Sequence, residues 1–243
     1  MANQARLILL QPEGTTSGFD WTGKLRDAIS RLPSVREKVT QIVEFQRKAE
    51  WGKKLVDAGY AMKPFIGALS IYSSDVDGLK ELISTILKEN EVKDSSPVWL
   101  VGNDEDKITK TPKDPSKPLA KFMALIVRNP NLTTQQFHSH WSGPHAALFC
   151  GQSVSQEKVV IYKQFHSSPE WTKDFVQLGL SIAEFEGVVE VWLETAEDVE
   201  AVFCNPEYVE EMRPDEIMLL NLERSGIMIG SDSVETEKFV AAS

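Results

Sequence analysis

The chain has 243 residues, a hydrophobic fraction of 42% and a formal net charge of −10. That length suits two small domains, and that charge argues against nucleic acid, whose binders carry basic surface, and against anionic membranes. The longest apolar runs, such as LILL and MALIV, are strand-length and too short to cross a bilayer.

In chain order, MANQARLILLQPEG lacks the long apolar region and cleavage site of a signal peptide and reads as a first strand near 5–11. A helix follows near 20–31, then strands near 39–47 and 65–72. VDGLKELISTIL has helical periodicity and predicts a helix near 75–89, before a strand near 98–102. The polar, proline-rich TKTPKDPSKPLA, residues 109–120, reads as a linker. Beyond it, strands are expected near 121–128, 158–166, 185–193 and 217–223, and helices near 133–150 and 196–212. The two cysteines, Cys150 and Cys204, are too few for a disulfide framework and read as buried free thiols in a reducing, cytoplasmic setting.

The sequence repeats across the linker. FIGALSIYSSDVDGL from Phe65 aligns with FEGVVEVWLETAEDV from Phe185, an offset of 185 − 65 = 120. The same offset pairs Val39 with Val159, Phe45 with Phe165, Trp51 with Trp171 and Trp21 with Trp141. The organisation is therefore an N-terminal repeat at 1–108, a linker at 109–120 and a C-terminal repeat at 121–243. Each repeat reads as βαββαβ, the ferredoxin-like pattern, whose sheet has helices on one face only. The expected α+β fold is two ferredoxin-like βαββαβ repeats packed sheet to sheet, an intrachain dimeric α+β barrel. The space between sheet and helices is the natural pocket for a small molecule.

QQFHSHWSGPHAALF, residues 135–149, holds three of the four histidines. Thr133 is a plausible N-cap, and Gln136 completes a capping box. Pro144 predicts a break, so that His145 starts a new helical segment where amide dipoles disfavour the imidazolium. A neutral imidazole there suits a general base. His138 is expected to face solvent, and His140 to orient a neighbour or touch substrate. In VVIYKQFH, one strand face carries Tyr162, Gln164 and His166, which suits a pocket wall. Trp141 and Trp192 could shape the same wall or be plain core. Asp215, in RPDEIMLL, could orient an imidazole or belong to a solvated turn. At the positions of His140, His145 and His166 the first repeat has Asp20, Leu25 and Gln46, which points to one working site, in the second repeat. No GxGxxG, Walker or CxxC pattern appears, and HxHxxxxH has no standard zinc-helix spacing, so no cofactor or metal is signalled.

FHSHWSGPHAALF resembles the helix motif of EthD-like proteins, a branch of the dimeric α+β barrel group, and the likeness runs on through VVIYKQFH, FEGVVEVWLETAEDVEAVF and NPEYVEEMRPDE. The resemblance implies an accessory enzyme for aromatic polyketides or similar secondary metabolites. His145 and an aromatic cavity are the features it carries over first, and His166 next.

The expected function is a cofactor-free lyase or cyclase, catalysing dehydration, cyclisation or decarboxylation of a small aromatic or polyketide-like molecule. His145, His166 and Asp215 would be catalytic, with His140, Trp141, Tyr162, Gln164 and Trp192 against the substrate. A cofactor-free monooxygenase and a non-catalytic binding or assembly protein are the alternatives. The partner is a small molecule, with no nucleic acid and no membrane, and room is left for a homodimer.

Overall fold

The computed structural model describes residues 4–14, 21–89, 98–233 and 237–238. The strands are β1 Ala5–Pro12, β2 Val39–Arg47, β3 Phe65–Ser73, β4 Val98–Thr109, β5 Ala120–Ile126, β6 Val159–Ser167, β7 Gly187–Leu193, β8 Gly226–Asp232 and the short β9 Glu237–Lys238. The first eight run in the order β3-β1-β4-β6-β7-β5-β8-β2, and β2 pairs back onto β3. The result is a closed eight-stranded antiparallel barrel with helices outside it. Each half of the chain supplies four neighbouring strands, β2-β3-β1-β4 and β6-β7-β5-β8.

The expectation of two sheets face to face is corrected by the two seams. β4 does not stop at 102 but continues to Thr109, pairing Asn103 with His166 and Thr109 with Ile161. The polar run NDEDKIT, beyond the expected strand end, lacks apolar alternation, yet it supplies the ladder that joins the halves. At the other seam, Phe45 pairs with Asp232 and Arg47 with Gly230. One sheet closed on itself replaces two stacked sheets and leaves no long open edge.

Alternation along each strand sorts the core. Arg6, Ile8 and Leu10 of β1 point into the barrel, where Ile8 and Leu10 meet Phe45, Met123, Phe165 and Met228. Leu7 and Leu9 point outward, beneath the helices Trp21–Arg31 and Val76–Glu89. The barrel interior also holds charge. Glu190 accepts from both Arg6 and Lys121, Arg6 also reaches Asp104 at 2.9 Å, and Lys121 reaches Asp232 at 3.1 Å. Burial works against ionisation of Glu190, but Arg6 and Lys121 hold it well below the usual carboxylate range.

Two helices in the second half differ from the sequence expectation. In place of a helix to 212 and a strand at 217–223, the helix Ala196–Phe203 is followed by a helix Pro206–Leu219 and the strand β8. Pro214 lies inside that second helix. Its buried residues Tyr208, Met212, Glu216 and Leu219 fall at helical spacing, and their burial outweighs the lost hydrogen bond. Two short helices, Lys53–Asp57 and Pro169–Gln177, were not signalled by the repeat pattern. Each crosses to the other half: Leu55 and Tyr60 pack on the second helix layer, and Phe175 and Leu180 on the first. No helix of the described residues is long and apolar enough to cross a membrane.

Candidate active site

The helix Thr134–His140 begins as the sequence predicts. Thr133 accepts from the Gln136 backbone N–H at 3.2 Å, and the Gln136 side chain returns a bond to the Thr133 N–H. Pro144 does not break the helix. A π-helical turn, Trp141–His145, absorbs it, and the chain continues as the helix Ala146–Gly151. A widened turn accommodates the missing donor without ending the helix. His145 therefore lies within a helix, and the expected helix-start dipole does not act on it.

What acts on His145 is Asp215. Its Oδ2 lies 2.7 Å from His145 Nδ1, and its Oδ1 lies 2.6 Å from His140 Nε2. The hydrogen bond from His145 leads in holding the Asp215 carboxyl below its ordinary range, with that from His140 adding to it against the opposing effect of burial. An ionised carboxylate only accepts, so both imidazoles donate: His145 through Nδ1–H and His140 through Nε2–H. In the neutral imidazole of His145 this tautomer leaves Nε2 as the ring nitrogen free to accept a proton.

His145 is 7% exposed and lines a pocket between the helices of the second half and the outer face of the barrel. The empty space is about 760 Å³, its open mouth included. Phe122 and Phe203 stack at 3.8 Å on one wall, and Phe149 meets Tyr162 edge-on at 4.8 Å. Val189 and Val191 of β7 supply the floor. The polar groups are Tyr162, Tyr208, Arg213, Glu216 and Tyr60, the last from the first half. Tyr208 donates to Glu216 at 2.5 Å, Arg213 to Glu216 at 3.2 Å, and Tyr60 to the Phe203 carbonyl at 3.2 Å. Burial pushes the phenols of Tyr60, Tyr162 and Tyr208 upward, so all three stay neutral near physiological pH.

The other expected site residues lie elsewhere. His140 sits behind Asp215 and does not line the pocket. His166 pairs with His138, Nδ1 to Nδ1 at 2.8 Å, and packs against Trp141 at 4.4 Å. His138 thus faces His166, not open solvent, because the helix lies across β6. Burial, with His138 and Lys107 adding to it against Glu105, lowers His166 to about 4. Trp141 is fully buried over Gly187 and is core. Gln164 is fully buried and braces the helix, donating to the Trp141 carbonyl at 3.0 Å and to Tyr162 at 2.6 Å. Trp192 faces the barrel interior and donates to Asp232 at 2.7 Å. The pairing of Tyr162 with Val191 puts the odd residues of β7 on the helix side, and so turns Glu190 and Trp192 inward.

In the first half the matching space is core. Leu25, at the position of His145, is fully buried among Leu69, Ile71 and Leu79, with Leu180 where Tyr60 stands in the second half. Asp20, the counterpart of His140, lies outside the described residues. Among the described residues no group of three or more His, Cys, Asp or Glu side chains is arranged to hold a metal ion.

Residues 129–222 match the EthD domain model. The EthD segment contains all four histidines, Asp215, and most of the pocket wall. No protein of curated function matches the sequence. Solved structures match the fold along nearly the whole chain. An anthrone oxidase-like protein superposes with a TM-score of 0.60 at 8% identity, over 100% of this chain and 97% of that one. A protein of Fusobacterium nucleatum, provisionally named a monooxygenase, gives 0.53 at 6% identity, over 98% and 95%. A mutant chlorite dismutase of Candidatus Nitrospira defluvii gives 0.52 at 9% identity, over 96% and 92%. At these identities the likeness is one of fold, and the chain is similar in architecture to dimeric α+β barrel proteins.

Proposed function

We propose that this protein is an enzyme that moves a proton on a small, largely apolar, aromatic or polyketide-like molecule, with His145 as the acid–base group. The observation that carries this reading is the His145–Asp215 pair at the wall of an aromatic pocket. His145 Nε2 removes a proton from a carbon beside a carbonyl. The C–H bond breaks, the N–H bond forms, and the electron pair passes to the carbonyl oxygen. Asp215 stabilises the imidazolium, and the same proton then leaves with a departing hydroxyl as water. Dehydration and aldol-type cyclisation use this first step, whereas in decarboxylation the bond to the carboxylate carbon breaks, carbon dioxide leaves, and a protonated His145 gives its proton to the enolate carbon. The confined pocket holds a flexible substrate in a reactive conformer and keeps water from the charged intermediate.

A second reading is oxygenation of an electron-rich phenol by molecular oxygen: His145 takes the phenol O–H proton, the phenolate reduces dioxygen, one oxygen atom enters the ring to give a quinone, and the other leaves as water with two substrate hydrogens. The structural likeness to an anthrone oxidase-like protein favours it. The 120-residue internal offset and the matching strand order of the two halves support an origin by fusion of two ferredoxin-like units.

The test is incubation with β-hydroxy ketone, polyphenol and anthrone-type compounds, followed by mass spectrometry. Loss of water or carbon dioxide supports the lyase or cyclase reading, and gain of oxygen supports the oxygenase reading. Either activity should vanish in His145→Gln. Tight binding without turnover by the wild type would overturn both in favour of a binding protein.

A further inference from the structure

Tyr162 lines the pocket and is 1% exposed. Its hydroxyl oxygen accepts a hydrogen bond from Gln164 Nε2 at 2.6 Å. The same amide nitrogen donates to the Trp141 carbonyl at 3.0 Å, which only an N–H can do. The Gln164 amide is therefore fixed with its nitrogen toward Tyr162. A phenol has one hydrogen to donate, and with Gln164 filling an acceptor position that hydrogen has no acceptor among the described residues. Phe149 packs edge-on against the ring and holds it in place. Tyr60 and Tyr208 differ, since both donate their hydroxyl hydrogens to protein acceptors.

Resting on the acid–base reading of His145, we propose that Tyr162 is a second catalytic residue, a hydrogen-bond donor to the substrate oxygen on which negative charge develops. The substrate class is then narrowed to molecules with an enolisable carbonyl or a phenol on an aromatic or conjugated frame. His145 takes the proton, and Tyr162 donates a hydrogen bond to the resulting enolate or phenolate oxygen without giving up its own proton. Burial, which raises the Tyr162 phenol, keeps it a donor through the cycle. A buried neutral donor aimed at developing charge stabilises the transition state more than the ground state. Gln164 is the positioning residue that turns the hydroxyl.

The experiment compares binding of 2-naphthol, an enolate-shaped probe with one oxygen, with that of naphthalene. In the wild type 2-naphthol should bind more tightly than naphthalene. Tyr162→Phe should remove that advantage, weakening 2-naphthol by roughly tenfold, the scale of one hydrogen bond, and leaving naphthalene unchanged. Gln164→Met, which keeps the phenol but frees its hydroxyl, should weaken 2-naphthol by less and gives the same readout should Tyr162→Phe fail to fold. An equal preference for 2-naphthol in wild type and Tyr162→Phe would overturn the role of Tyr162 while leaving His145 untouched. Binding of neither probe to the wild type would overturn the aromatic pocket on which both readings rest.

Discussion

His145 Nδ1 lies 2.7 Å from Asp215 Oδ2, across 70 positions of sequence. The carboxylate fixes the tautomer, and the tautomer decides whether Nε2 can act as a base. Asp215→Asn presents an amide N–H to Nδ1 and drives the ring proton to Nε2. Turnover should fall by about 10²–10⁴, the range for loss of acid–base catalysis, with the melting temperature nearly unchanged. A variant that retains wild-type kcat would remove Asp215 from the mechanism.

His140 shares the same carboxylate, at 2.6 Å through Nε2. Its hydrogen bond stops Asp215 from rotating away from His145. His140→Leu should lower kcat several-fold at constant KM, and His140→Gln, whose amide can donate to Asp215, should restore most of it. Nitrogen-15 spectra of the His145 ring give an independent check. The Leu variant should show a mixture of tautomers where the wild type shows Nδ1–H alone. Identical spectra would reduce His140 to a surface contact.

The helix motif was legible in the sequence because its signals are local. The Thr133 capping box, the Phe137–Trp141 stripe and the strand alternation that puts Tyr162 beside Gln164 all depend on near neighbours. What was not legible depends on long-range pairing. The π turn at Pro144 and the helix through Pro214 are both cases where packing overrides the proline rule. Once the second helix is allowed to continue, Asp215 faces the histidines and Glu216 the pocket, which a turn could not arrange. Tyr60 enters from the other half by the crossing loop, and no periodicity in its own segment marks it. Trp192 looked like a pocket wall because one strand cannot say which of its faces the barrel turns inward.

Glu190 binds Arg6 and Lys121 at once, and all three side chains are buried. Arg6 comes from the first half of the barrel, Lys121 and Glu190 from the second, so the network ties the halves through the barrel interior. Glu190→Gln keeps the shape but leaves two buried cations with less than their full countercharge. Urea denaturation should show a loss of about 3–5 kcal/mol, the scale for breaking a buried pair from one side. Replacing Arg6, Lys121 and Glu190 together by apolar residues of similar volume should recover much of that loss, since no charge is then stranded. A single-variant loss below about 1 kcal/mol would put the network on the level of a surface ion pair.

The His138–His166 pair predicts the acid limit of the fold. His166 is held at about 4 when folded, against an ordinary value of 6.5, by burial first and then by His138 and Lys107, with Glu105 opposing. The unfolded chain binds the proton at a higher pH than the folded one. The stabilisation is therefore complete above pH 6.5, declines as pH falls through the interval down to about 4, and is lost below it. Over that interval it amounts to roughly 3 kcal/mol at most. Protonation would also turn both facing Nδ1 atoms into donors and push the helix Thr134–His140 away from β6. Thermal melts between pH 7 and pH 4 should show a steeper fall in Tm for the wild type than for His166→Phe, which cannot take the proton. Parallel curves for the two proteins would assign the acid sensitivity to other groups.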